Sequence, residues 1–65
     1  MSTTYITKAQ RAIIIESILD AELETGALTD SEIAEREADL CDMSNPRLKK
    51  ECDDVCPEEW ERLIG

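Results

Sequence analysis

Histidine is absent from this 65-residue chain, and so is phenylalanine. Without histidine, the usual catalytic triads and general-base arrangements have no central member. Two glycines leave no room for a glycine-rich phosphate loop. No apolar run approaches the roughly 18 residues of a membrane-spanning helix. Residues 1–11 are polar and threonine-rich, with their positive charges after the start, and carry no signal-peptide core. These absences imply a non-enzymatic protein of the cytoplasm. Its thiols are expected to stay reduced there, and no cofactor is expected. One tyrosine and one tryptophan leave the core to aliphatic side chains. A single domain this short buries only about 60% of its unfolded surface, so its stability is marginal.

Positive charge is also scarce. The net charge is −9. Between Glu16 and Asp42 only Arg36 is basic, among Glu16, Asp20, Glu22, Glu24, Asp30, Glu32, Glu35, Glu37, Asp39 and Asp42. Phosphate backbones would be repelled, so neither direct nucleic-acid binding nor docking to an anionic membrane is expected. Such a surface either serves solubility or steers a basic protein partner. In its sharpest form it imitates a nucleic-acid backbone and occupies a DNA- or RNA-binding protein. Glu22, Glu24, Glu35, Asp39 and Asp42 are the candidate partner-binding residues. The one basic cluster, Arg47, Lys49 and Lys50, stands beside Glu51, Asp53 and Asp54 and is expected to pair with nearby acids.

The organising stretch is Ala12 to Leu23, AIIIESILDAEL. At about 100° per residue, Tyr5, Ala9, Ala12, Ile15, Leu19 and Leu23 share one broad stripe. Ile14, Ile18 and Ala21 follow at i, i+4 and i+7 on a second side, while Glu16, Asp20 and Glu24 form a polar row. Ile13-Ile14-Ile15 has strand propensity, but strict alternation is missing and the flanking Ala, Glu and Leu favour helix. A helix apolar on two sides needs a second surface. A homodimer seam through Ile14, Ile18 and Ala21 is the expectation, with Ile13 and Arg11 at its edge.

Local signals divide the chain into helices over 7–25, 29–43, 46–53 and 57–64, with residues 1–4 expected to be disordered. Thr7-x-x-Gln10 and Thr29-x-x-Glu32 fit capping boxes, and Leu28 with Ile33 fits a hydrophobic staple. Gly26 suits the left-handed position after a helix. Ile33, Ala34, Ala38, Leu40 and Cys41 read as the apolar face of the second helix. Asn45 can cap, and Pro46 and Pro57 can each restart a helix at its first position. The predicted fold is all-α: an antiparallel helical hairpin, with one or two short C-terminal helices folding over it and Trp60 as a core anchor, forming a homodimeric bundle.

Cys41, Cys52 and Cys56 invite a metal reading, and Cys52-x-x-x-Cys56 could place two thiolates one helical turn apart. A structural zinc site wants four ligands, usually Cys or His. With three cysteines and no histidine the set is incomplete, and no metal is expected. A disulfide from Cys41 to Cys52 or Cys56 is open chemically but disfavoured by the compartment. The default is buried thiols acting as small apolar groups.

In size and helical-hairpin plan, residues 7–43 resemble the Rop family of plasmid copy-number proteins, dimeric four-helix bundles that bind RNA. That family presents a basic helix face to RNA, whereas this helix offers only Lys8 and Arg11, so RNA binding does not carry over. In length, acidity and lack of catalytic residues the chain is similar to small helical phage proteins that disable host factors, including an anti-quorum-sensing, pilus-blocking type. This likeness implies an inhibitor of a host transcription regulator or defence component. The alternatives are a regulatory or scaffold subunit of its own operon, or a thiol- or metal-responsive module.

Overall fold

The computed structural model describes residues 6–64, which form helices joined by short turns and irregular residues, with no strand among them. Four helices follow in order: α1 (Lys8–Thr25), α2 (Ile33–Asp42), α3 (Asn45–Val55) and α4 (Pro57–Leu63). α1 touches each of the other three, and α3 also packs on α4. Residues 1–4 and Tyr5 of the expected stripe lie outside the described residues.

α1 begins and ends where its local chemistry dictates. The Thr7 hydroxyl accepts from the Gln10 N–H at 3.1 Å, and the Gln10 side chain accepts from the Thr7 N–H at 2.9 Å. Two orphan donors are satisfied reciprocally. At the other end Gly26 takes φ +80°, and the Ala27 N–H returns to the Glu22 carbonyl at 2.9 Å. This is the glycine-closed helix end in which the left-handed residue avoids a Cβ clash.

The second start departs from expectation. The helix begins at Ile33, after a turn over residues 30–32. The Glu32 carboxylate receives both the Thr29 N–H (3.2 Å) and the Thr29 hydroxyl (2.9 Å). The hydroxyl is therefore a donor here, and the Glu32 N–H bonds the Thr29 carbonyl instead, at 2.9 Å. Half of the capping box forms, and it closes a turn rather than opening the helix.

α3 is longer than its sequence signals, running from Asn45 to Val55. Ser44, not Asn45, is the extended residue before it. The Asn45 Oδ1 is taken by Arg11 Nη1 at 2.6 Å, which leaves it no role as a cap. Pro57 opens α4 as expected.

The core consists of Ile6, Ile14, Ile15, Ile18, Leu19, Leu40, Leu48, Cys52 and Trp60, with Leu28, Met43, Val55, Cys56, Leu63 and Ile64 packed against it. Trp60 is 5% exposed and anchors α4. This core overturns the expected dimer seam. Ile14 and Ile18 are 0% exposed within a single chain. Ala21 is half-buried. Of the four seam residues only Ile13 remains outside, at 44% exposed. The physical reason is that α3 and α4 cover the second side of α1, so Ile14, Ile15, Ile18 and Leu19 form one broad inner face. Ala9 and Ala12, assigned to the inner stripe from periodicity, are exposed.

α2 also turns differently. Ala34, Ala38 and Cys41 face solvent, and Leu40 is its one fully buried side chain. The inward row is Ile33, Arg36, Leu40 and Met43, spaced by three and four. A guanidinium thus occupies a position that an apolar-stripe argument would not assign to it.

Candidate interaction surface

Two arginines decide what the surface around α2 presents. Arg36 sends Nε to Glu22 Oε1 at 2.9 Å and Nη2 to Glu22 Oε2 at 3.1 Å, and the same Nη2 reaches Glu51 Oε1 at 2.7 Å. One side chain of α2 thereby ties α1 to α3. Both carboxylates, acting as hydrogen-bond acceptors, raise the Arg36 pKa further above its ordinary value, against the opposing effect of burial. A planar fork meeting a carboxylate edge-on is the geometry that lysine does not reproduce.

Arg11 of α1 closes the exposed carbonyl end of α2. Its Nη2 donates to Met43 O at 2.7 Å and Cys41 O at 3.2 Å, with Leu40 O at 3.5 Å. The last carbonyls of a helix lack intrahelical partners and carry its negative dipole end, so a cation there satisfies both. Arg11, expected at the edge of a dimer seam, instead has its Nη1 and Nη2 engaged within the chain.

With these two arginines engaged, the expected partner-binding residues separate. Glu22 does not belong to a free acidic surface: its side chain is 15% exposed and held by Arg36. Glu24, Glu35, Asp39 and Asp42 are exposed. Among the described residues none of these four has a salt-bridge partner. Glu35, Asp39 and Asp42 fall at i, i+4 and i+7, so they share one outer face of α2. On α1 the Glu16, Asp20 and Glu24 row is likewise exposed.

Asp39 and Asp42 also line a cleft of about 490 Å³ at the α2–α3 corner, together with Arg36, Met43, Ser44, Arg47 and Glu51.

In comparisons with protein families, with curated proteins and with solved structures, nothing matches this chain.

The basic cluster is divided. Lys49 Nζ pairs with Asp53 Oδ2 at 2.9 Å and stands 5.8 Å from the centre of the Trp60 ring. Arg47 and Lys50 are exposed and make no salt bridge among the described residues. On the other side of the chain, Ser17 Oγ donates to Glu59 Oε2 at 3.5 Å, joining α1 to α4. No group of three or more potential metal ligands converges among the described residues, and no described helix is long and apolar enough to cross a membrane.

Sequence reasoning missed the roles of Arg36, Glu22 and Arg11. One signal was available for Arg36: it is the lone cation within a long acidic stretch. Its spacing from Ile33 and Leu40, three and four residues, marks it as inward-facing once the helix is oriented by Leu40.

Proposed function

We propose that this chain is a non-enzymatic interaction module that binds a basic surface of another protein and blocks it. The contact face is Glu35, Asp39 and Asp42 of α2, extended by Glu24 at the end of α1. The observation that carries the reading is the division among carboxylates. Glu22 and Glu51 are consumed by Arg36, whereas the α2 face keeps its charge unpaired among the described residues. With a net charge of −9, the chain's field accelerates encounter with a cationic surface and disfavours nucleic acid and anionic lipid. DNA-binding proteins and defence components present surfaces of that kind. The finer form of the proposal is therefore a phage-type inhibitor acting on a host regulator in the host cytoplasm.

An antiparallel α1–α2 hairpin belongs to the same reading. Arg11 at the start of α1 bonds the end of α2, and Glu22 near the end of α1 bonds Arg36. This holds the acidic face on a rigid element. A homodimer through Ile14 and Ile18 is not part of the proposal, since both are inside the chain.

The test is a pull-down from bacterial lysate with the wild type and with a Glu35→Lys, Asp39→Lys, Asp42→Lys variant, at low and high salt. The expected result is a basic protein retained by the wild type, released by salt and lost by the variant. Retention of the same protein by the charge-reversed variant would refute the assigned face.

A further inference from the structure

Cys52 and Cys56 are free thiols whose sulfurs stand 3.8 Å apart. Cys52 belongs to the core at 0% exposed, and Cys56 is half-buried at the α3–α4 corner. The Cys52 thiol donates to the Cys56 carbonyl at 3.2 Å, and the Cys56 N–H returns to the Cys52 carbonyl at 2.7 Å. The two residues thus share one closed turn, and their side chains leave it on the same side.

Cys52 fills a core position and Cys56 packs against that core, which sets the second sulfur directly on the first. A disulfide needs the sulfurs at about 2.05 Å. From 3.8 Å this is a closure of less than about 2 Å, within reach of side-chain rotation and a small backbone adjustment. The adjustment has a place to occur. Cys56 lies in neither helix, with φ −148° and ψ 71° between Val55 and Pro57. The Cys56 N–H bond to the Cys52 carbonyl is the last rung of the α3 ladder, so only the end of that ladder has to adjust.

We propose that Cys52 and Cys56 form a reversible dithiol–disulfide site that fastens the α3–α4 corner, with a small-molecule disulfide as oxidant. Cys56, the more accessible sulfur, loses its proton and attacks one sulfur of the external disulfide. That S–S bond breaks, one small thiolate leaves, and a mixed disulfide stands on Cys56. Cys52 then loses its proton, attacks the Cys56 sulfur and expels the second small thiolate. Two protein thiols are oxidised by two electrons, one external disulfide is reduced to two thiols, and the two protons pass to the departing thiolates. Burial holds both thiols above their ordinary pKa, so the exchange is slow at neutral pH and quickens as pH rises. The exposed Cys41 of α2 has no such neighbour and serves as an internal control.

The test exposes the full chain to oxidised glutathione under mildly alkaline conditions and maps the products by mass spectrometry. The expected product has lost two hydrogens at a Cys52–Cys56 link, with Cys41 free or carrying glutathione, and dithiothreitol reverses it. Cys56→Ser and Cys56→Ala should each leave Cys52 as a free thiol. These variants avoid the core position, so failure to fold does not obscure the result. A glutathione adduct persisting on Cys56 beside a free Cys52 would overturn the proposal. So would links formed only through Cys41, or two thiols that stay unmodified.

Discussion

Arg36 and Glu22 meet as a two-point fork, Nε to Oε1 at 2.9 Å and Nη2 to Oε2 at 3.1 Å, across the α1–α2 contact. Because Nη2 also holds Glu51, removing the guanidinium strands two carboxylates whose side chains are 15% and 29% exposed. Arg36→Ala should destabilise the fold by about 2–4 kcal/mol, the loss of hydrogen bonds to charged groups plus incomplete hydration of what remains. Arg36→Lys should recover only part, since an ammonium cannot fork. Urea denaturation midpoints measure both, and a midpoint unchanged by Arg36→Ala would show that the clamp is absent in solution.

Arg11 is expected to matter as a helix-end cap. Arg11→Ala removes the donor to Met43 O at 2.7 Å and to Asn45 Oδ1 at 2.6 Å. The expected destabilisation is about 1.5–3 kcal/mol. Hydrogen exchange should localise it, with amides near the end of α2 and the start of α3 losing protection before those in the middle of α1.

The broad inner face of α1 gives contrasting predictions for two isoleucines, Ile18 within it and Ile13 outside it. Ile18→Glu places a carboxylate in a site with 0% exposure and no cation among the core residues. It should cost more than about 4 kcal/mol and abolish the helical circular dichroism signal. Ile13→Glu, at a position 44% exposed, should change stability by no more than about 0.5 kcal/mol. The wild type should sediment as a monomer at micromolar concentration. A variant carrying Ile18→Glu that stays helical while halving its mass would instead restore the dimer.

Cys52 supplies a pH dependence. Burial, joined by the neighbouring Cys56, pushes its pKa up to about 12 from an ordinary 9.0. The folded chain therefore keeps a proton that the unfolded chain releases between those values. By linkage its contribution is complete below the ordinary pKa and is lost as pH climbs toward the folded one. Stability of the reduced protein should fall with rising pH in that window, and Cys52→Ala should flatten the slope. The difference between the denaturation curves of the two proteins reads out the thiol.

Much of the local organisation was legible. The Thr7–Gln10 box, the Gly26 helix end, the proline restarts and Trp60 as an anchor are all visible in the sequence, because each is decided by neighbours within a turn or by one large apolar side chain. The start of α2 was misread for a related reason. Thr29 and Glu32 do interact, but whether a hydroxyl donates or accepts is not written in a four-residue spacing. The acidic face was half legible: Glu35, Asp39 and Asp42 are exposed as expected, while Glu22 was drawn inward by a cation fourteen residues along the chain.

The residue order alone determined that the chain would be helical, where its helices would break and that its exterior would be negative, since backbone capping, proline geometry and net charge are local or additive properties. Which sides of α1 would be hidden, where Arg36 and Arg11 would find acceptors, and that two cysteines would share a corner were decided by α3 and α4 closing onto α1. Burial is a property of the neighbours that arrive from elsewhere in the chain. An isoleucine pattern specifies how much apolar surface must be covered, and only the packed helices specify what covers it.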